Sequence, residues 1–181
     1  LAHLRIQGCR LDDACGLRPT LRGGPPLAAL RGLRSICLAR NRLRSQEAAL
    51  AGMIELPLLE KLDLSHNRLE RMDRAHELLG NVSALDLDGN RLRDAAGIDR
   101  VLSLERLSLR HNDLRTAAAV GGLSRLPLLM SLKLAGNPLA GRGPGYRLAV
   151  WDAFCDVRVR NRRAKDFAAE CAAGLPVMDG A

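Results

Sequence analysis

Aromatic residues are nearly absent from this chain of 181 residues. They make up 2% of it and all lie beyond position 145, at Tyr146, Trp151, Phe154 and Phe167. Bulky aromatic side chains dominate many cores and interfaces, so the first 145 residues must build their core from aliphatic side chains. The hydrophobic fraction of 47% is ample for that. Apolar runs of about 18 residues are also missing, so no membrane-spanning helix is predicted.

Paired cysteine motifs are missing as well. The chain has five cysteines, an odd number, and none of them forms a CxxC pair. This pattern argues against a disulfide framework and against a zinc site, and it favours a reducing compartment. We therefore expect an intracellular, cytoplasmic location. No Ser/His/Asp order or phosphate-binding loop is recognisable, so we expect no enzyme activity, no cofactor and no metal.

Lysine is scarce, with three residues at Lys61, Lys133 and Lys165, yet the net charge is +8. The basic excess is therefore almost entirely arginine. A GC-rich genome produces such a chain without any functional reason. The alternative is a basic surface that attracts acidic protein segments, phosphate groups or nucleic acid.

One motif recurs through most of the chain. The frame L-x-x-L-x-L-x-x-N-x-L appears five times, with successive asparagines separated by 26, 23, 22 and 25 residues, at Asn41, Asn67, Asn90, Asn112 and Asn137. A degenerate copy runs from Leu1 to Leu11 with Cys9 at the asparagine position. The L-x-L part has the period of a strand with one buried face. A stacked asparagine can hydrogen-bond the backbone of the turn and of the neighbouring coil, so the motif predicts a structural ladder of amides.

This motif resembles the leucine-rich repeat. The resemblance implies an α/β fold: a horseshoe-shaped solenoid with a parallel concave sheet, short helices or 3₁₀ turns on the convex side, and a helical C-terminal cap. Periods near 22 are similar to the short class typified by the phosphatase regulator SDS22. Residues 59–160 also resemble the repeat domain of nischarin and related kinase-interacting proteins.

The predicted domain organisation has three parts. Residues 1–139 hold about six coils, residues 140–165 form the cap, and residues 166–181 form a tail. The chain starts inside a repeat frame, so we expect it to belong to a larger protein.

Two coils are longer than the others and rich in alanine. We predict convex-side helical turns over residues 45–56 and 116–126, capped by the hydroxyls of Ser45 and Thr116 and ending before Pro57 and Pro127. The shorter coils are expected to return through 3₁₀ or irregular segments.

The cap is similar to that of SDS22-like and U2A′-like repeats. We predict a helix over residues 146–154 with Leu148 and Trp151 buried, Val150 and Phe154 being further candidates. A last strand is expected over residues 156–160.

The polar positions of the frame define the predicted concave face. They comprise an acidic centre and surrounding basic or titratable side chains, namely Lys61, Asp63, His66, Asp86, Asp88, Arg106, Arg110 and Lys133. Two interpretations stay open. The opposite charges pair across strands as an ordinary solvated sheet face, or the acidic centre accepts a basic partner segment.

A second predicted surface is the arginine edge. Arg42, Arg68 and Arg91 each follow a repeat asparagine, so stacking places them in one row. Together these features predict a non-catalytic scaffold that binds a protein partner through the concave face and this edge. The nischarin-type resemblance implies signalling or membrane trafficking, and the SDS22-like one implies a phosphatase, cytoskeletal or ciliary partner. The alternative is an RNA-particle subunit, as the U2A′-like cap implies.

Overall fold

The computed structural model of the chain describes residues 2–11, 30–50, 53–142, 145 and 148–150. The predicted tail, the last strand and most of the predicted cap helix lie outside these ranges. The described residues form one parallel sheet in which six strands follow each other in chain order. Each strand has three residues: His3–Arg5, Ser35–Cys37, Lys61–Asp63, Ala84–Asp86, Arg106–Ser108 and Ser131–Lys133, here β1 to β6. The predicted solenoid is confirmed.

The middle residue of every strand faces the core. The register aligns these residues across the whole sheet, at Leu4, Ile36, Leu62, Leu85, Leu107 and Leu132. The leucine two positions further on is fully buried in five coils, as at Leu64 and Leu87. Because side chains alternate between the two faces of a strand, the residues on either side of the middle one lie on the concave surface. The aliphatic core is therefore continuous, and no coil could bury its leucines without its neighbours.

The repeat asparagines are buried and bridge successive coils. Asn90 shows the pattern: its Nδ2 donates to the carbonyl of Leu64 in the preceding coil at 3.0 Å and to that of Leu87 in its own coil at 2.9 Å. Its Oδ1 accepts the backbone N–H of Leu69 at 3.0 Å. The same three kinds of contact recur at the other four positions, at Asn41, Asn67, Asn112 and Asn137. Each side chain thus satisfies the backbone of two coils.

The convex side carries short helical segments. In the second coil, α1 spans Gln46–Leu50 and a 3₁₀ turn spans Met53–Glu55, directly before Leu56-Pro57. The Ser45 hydroxyl accepts the N–H of Ala48 at 3.1 Å, so the predicted cap is present there. In the fifth coil, α3 spans Ala118–Gly121 and a 3₁₀ turn spans Gly122–Arg125. The cap predicted at Thr116 is wrong, because α3 begins after Ala117 without a side-chain cap.

The shorter coils differ from the prediction in one place. A 3₁₀ turn at Ile98–Arg100 is as expected, but the third coil returns through a short α-helix, α2, at Ala75–Leu78. The buried Gln46 explains how this helix is positioned, since its Oε1 accepts the N–H of Arg74 at 2.9 Å. A contact from the previous coil therefore satisfies a backbone donor at the helix start, which the local sequence does not reveal.

The start of the predicted cap is partly described. A 3₁₀ turn spans Ala140–Arg142, and Val150 is buried beneath the last coil. Leu148, predicted to be buried, is instead 65% exposed. The predicted burial of Leu148 is therefore wrong.

Asn90→Ala tests the structural ladder. The substitution leaves the N–H of Leu69 without a partner in a buried turn, and it removes one of the two amide donors from each of the carbonyls of Leu64 and Leu87. We expect the free energy of unfolding to fall by about 1–3 kcal/mol. Urea denaturation monitored by circular dichroism measures it, with the exposed neighbour Arg91→Ala as the matched control. A loss in Asn90→Ala no larger than in the control contradicts the structural role.

Candidate interaction surfaces

Two rows of side chains form the concave face. The first holds His3, Ser35, Lys61, Ala84, Arg106 and Ser131, and the second holds Arg5, Cys37, Asp63, Asp86, Ser108 and Lys133. Strands β2 to β6 line a shallow groove of about 360 Å³ between these rows. We call it the concave groove. Its centre is acidic, and its rim carries basic side chains from β3, β5 and β6.

Asp63 and Asp86 occupy paired positions on neighbouring strands at the groove centre. Each folds one carboxylate oxygen back onto its own chain: Asp63 Oδ1 accepts the N–H of Ser65 and Asp86 Oδ1 accepts that of Asp88, both at 2.9 Å. The Cys37 thiol donates to Asp63 Oδ2 at 3.2 Å. Among the described residues, neither carboxylate forms an ion pair. The predicted alternative of charges paired across strands therefore does not hold at this pair.

The pKa of Asp86 is raised above its ordinary value, so its negative charge is disfavoured at this position. Partial burial is the main cause, and the negative charges of Asp88 and Asp63 add to it. The hydrogen bond from the Asp88 N–H and the charge of Lys133 act in the opposite direction. Burial likewise raises the pKa of the Cys37 thiol, and its bond to Asp63 contributes. The ionised form of Asp86 is therefore disfavoured at the groove centre.

Asp88 is already engaged by the next strand. Its Oδ1 accepts the hydroxyl of Ser108 at 2.6 Å and the backbone N–H of Arg110 at 2.7 Å. At the equivalent positions of other coils, Ala39 and Ser65 are 3% and 9% exposed. This position of the frame is therefore largely buried in those two coils and adds little to the concave surface.

The basic side chains stand at the rim. Lys61 and Arg106 are exposed in the first row on either side of the small Ala84, which leaves a notch between them. The Arg106 guanidinium lies 3.5 Å from the Glu105 carboxylate. Lys133 is half-buried at the end of the second row. Arg110 follows β5 and is also half-buried.

The two histidines next to repeat asparagines lie at turns. His66 and His111 have φ angles of 54° and 52°, the left-handed region. A Cβ on Gly89 would come within 2.6 Å of the His66 ring, and one on Gly136 within 2.3 Å of the His111 ring. His66, predicted as part of the concave face, is exposed at this turn with its ring against Gly89.

The arginines that follow the asparagines are in register. The backbone N–H groups of Arg42, Arg68 and Arg91 donate to the leucine carbonyl of the preceding coil, at Leu11, Leu43 and Leu69, over 2.7–2.9 Å. Leu11 thus occupies in the first coil the place of Leu43 and Leu69. Arg10, which precedes it, therefore belongs to the same row and extends the predicted edge. The sequence indicates this position of Arg10, because it lies between Cys9 and Leu11 of the degenerate frame. The predicted edge omitted Arg10 because that frame has no asparagine.

Other site types receive no support from the ranges that the structure covers. Within them, no three His, Cys, Asp or Glu side chains form a group that could hold a metal ion. Nowhere in the same ranges is a helix long and apolar enough to cross a membrane.

Asp86→Asn tests the electrostatic cost of the groove. Because the folded-state pKa of Asp86 lies above its unfolded value, the native state binds more protons, and the contribution of this group to stability is lost as pH rises through the folded pKa. Asparagine keeps an oxygen for the Asp88 N–H and removes the charge. We expect the variant to be more stable than the wild type at pH 7, and the difference to vanish as pH falls below about 3.8, the ordinary value. Urea unfolding at several pH values checks this, with the exposed Asp113→Asn as control. A gain that does not change with pH counts against the burial mechanism.

Gly89→Ala tests the packing of the histidine turn. Alanine in a left-handed conformation costs about 1–2 kcal/mol, and here its Cβ also displaces the His66 ring. The cost should therefore be smaller when His66→Ala is already present. A double-mutant cycle of unfolding free energies measures this coupling. Equal costs in both backgrounds would show that only the backbone matters.

Comparisons with known proteins agree with this architecture. A family model described as Leucine Rich Repeat matches residues 58–79. The chain is 32% identical over 136 residues to human geranylgeranyl transferase type-2 subunit alpha, which covers 66% of this chain and 24% of that protein. It is 33% identical over 113 residues to human serine/threonine-protein kinase 11-interacting protein, over 62% of this chain and 10% of that one. The chain therefore spans about a quarter or less of the length of these two relatives.

Among solved structures, a leucine-rich repeat protein of Leptospira interrogans superposes with a TM-score of 0.57 at 25% identity, over 70% of this chain and 31% of that one. The matched repeat, the six-stranded parallel sheet in sequential order and this neighbour lead to one conclusion. Over the described residues, the chain folds as a leucine-rich repeat solenoid.

Proposed function

We propose that this chain is a non-catalytic docking module, and that its concave groove receives a basic segment of a protein partner. The observation that carries the proposal is the pair Asp63 and Asp86. Two carboxylates stand side by side on neighbouring strands, and no ion pair within the described residues balances them.

Such a pair costs free energy in the unbound protein. Like charges directly opposite each other on adjacent strands destabilise a sheet, and the raised pKa of Asp86 reflects this together with burial. A lysine or arginine from a partner removes that cost when it enters the groove. The Oδ2 atoms face this partner, because the backbone N–H groups occupy only Oδ1 of each carboxylate and Oδ2 of Asp63 accepts only the weak Cys37 thiol donor.

The rim adds a requirement on the partner. Lys61, Arg106 and Lys133 surround the acidic centre, so basic residues beside the central one would be repelled. The best partner is a segment in which one or two basic residues are flanked by neutral or acidic ones. This arrangement supports specificity, which depends on repulsion of wrong partners as well as attraction of the right one.

The relatives support a role in protein interaction and leave the pathway open. One is named as a protein that interacts with a serine/threonine kinase, and another as a subunit of a transferase. The chain matches only a minor share of each. The kinase-interacting relative favours a scaffold in signalling as the form of the proposal. A role in trafficking and the narrower SDS22-like and nischarin-like assignments remain predictions.

The concave proposal is tested by capture with charge-changed protein. We expect Asp63→Lys/Asp86→Lys to lose partners that the wild type retains from a lysate, as identified by mass spectrometry. Asp88 is left unchanged because its carboxylate holds Ser108 and Arg110, and a lysine there would also damage the fold. Asp113→Lys/Glu55→Lys, at two exposed positions, makes the same charge change elsewhere.

Two results would refute the proposal. One is retention of every partner by the groove variant, and the other is equal loss by the control. Direct binding then checks the chemistry: a labelled peptide with one central arginine flanked by neutral residues should bind the wild type more tightly than a peptide of arginines alone.

A further inference from the structure

The outward edge at the carboxyl ends of the strands carries a row of four arginines. Arg42, Arg68 and Arg91 occupy equivalent positions, as their backbone hydrogen bonds show. Arg10 joins the row because it precedes Leu11, the counterpart of Leu43 and Leu69 in the first coil, although its own backbone is left-handed with a φ of 55°. Neighbouring parallel strands lie about 4.8 Å apart, so the row extends over about 14 Å. Three of these side chains are exposed, and Arg68 is half-buried.

The backbone beneath this arginine row is rigid. The asparagine before each of Arg42, Arg68 and Arg91 and the leucine after it are buried in the ladder and the core. Between these buried neighbours, Arg42 and Arg91 are exposed and Arg68 is half-buried. The next outward position in each coil adds Arg44 and Arg93 on either side of Glu70.

This arrangement is repulsive when nothing is bound. Within the described residues, Arg42, Arg68 and Arg91 form no ion pair. Like charges in register on neighbouring coils oppose each other. The concave groove thus holds neighbouring negative charges, and the arginine row holds neighbouring positive charges on a separate surface. An anion bound at the row would reduce the repulsion between its arginines.

We propose that the arginine row is a second docking site, which binds an extended acidic segment of a protein and prefers it phosphorylated. Guanidinium groups bind carboxylates and phosphates through two parallel hydrogen bonds. A phosphoryl group offers three oxygens and close to two negative charges, so it can join the arginines of adjacent coils. A row of about 14 Å matches about four residues of extended chain.

The end of the row favours a protein segment over a nucleic acid. In the fifth coil the equivalent position is Asp113, whose N–H makes the same bond to Leu92 at 2.9 Å. A nucleic-acid backbone that continued along the edge would meet this carboxylate, whereas a protein segment can turn away after a few residues. The repeats also lack aromatic side chains for base stacking.

Fluorescence anisotropy with labelled peptides tests the row. The probes are a peptide of aspartates alternating with serines, the same peptide with two phosphoserines, and a version with asparagine in place of aspartate. We expect the phosphorylated probe to bind most tightly and the neutral one not to bind. Arg42→Gln/Arg68→Gln/Arg91→Gln should weaken binding on the order of tenfold or more. The matched control Arg31→Gln/Arg74→Gln/Arg100→Gln, which has the same net charge, should change it by less than about twofold.

Two further variants test whether the paired hydrogen bonds matter beyond charge, and whether the row is separate from the concave groove. Arg42→Lys/Arg68→Lys/Arg91→Lys keeps the charge and loses the paired hydrogen bonds, so its affinity for the phosphorylated probe should fall between wild type and the glutamine variant. Asp63→Lys/Asp86→Lys should leave binding to the row intact, which distinguishes this site from the concave groove.

The proposal is overturned by any of three results. The control variant weakens binding as much as the row variant, or the phosphorylated probe binds no better than the neutral one. The third is that a ten-nucleotide single-stranded oligouridylate, or vesicles of phosphatidylserine and phosphatidylcholine, binds the row more tightly than the phosphorylated peptide.

Discussion

Every surface of this protein depends on the hydrogen bonds that a buried asparagine makes to the coil before it. In each repeat the amide nitrogen holds two carbonyls from successive coils, and the amide oxygen holds an N–H of the earlier coil. Buried backbone groups without partners are costly, so the asparagine fixes both the separation and the register of neighbouring coils. The aliphatic core stabilises the stack, but leucines alone are compatible with many offsets. The amide contacts select one of them.

That register turns a linear pattern into two charged surfaces. Once the coils are aligned, residues at one position of the frame become neighbours in space although 22 to 26 residues separate most of them in sequence. Asp63 and Asp86 meet on the concave side, and the arginines that follow the ladder meet along the edge. Both surfaces contain like charges in register, which an isolated coil would not experience. The rigidity that stabilises the solenoid thus also maintains the unfavourable electrostatics that a partner can relieve.

Much of the fold could be predicted because the pattern is local and repeated. Period-two leucines define the strands, and the recurrent asparagine defines the turns, so six parallel strands in order follow from the sequence. The errors lie where contacts between coils override local preference. The α-helix at Ala75–Leu78 starts against Gln46 of the previous coil, and this contact has no signature in the residues nearby. A second error concerns Leu148, which is exposed although the helical pattern predicts it to be buried.

The sequence by itself determined the repeat, the aliphatic core and the identity of the charged positions, since these depend on side-chain type and spacing alone. Only the tertiary structure decided which of those charged side chains have hydrogen-bond partners and which neighbours they face. It showed that Asp88 is committed to Ser108 and the backbone of Arg110, while Asp63 and Asp86 each keep an oxygen free of backbone contacts. It also brought Arg10 into the arginine row through the Leu11 carbonyl, despite the missing asparagine. The physical reason is that these hydrogen bonds and this burial arise from contacts between two successive coils. The sequence of one coil does not specify which residues of the next coil it contacts.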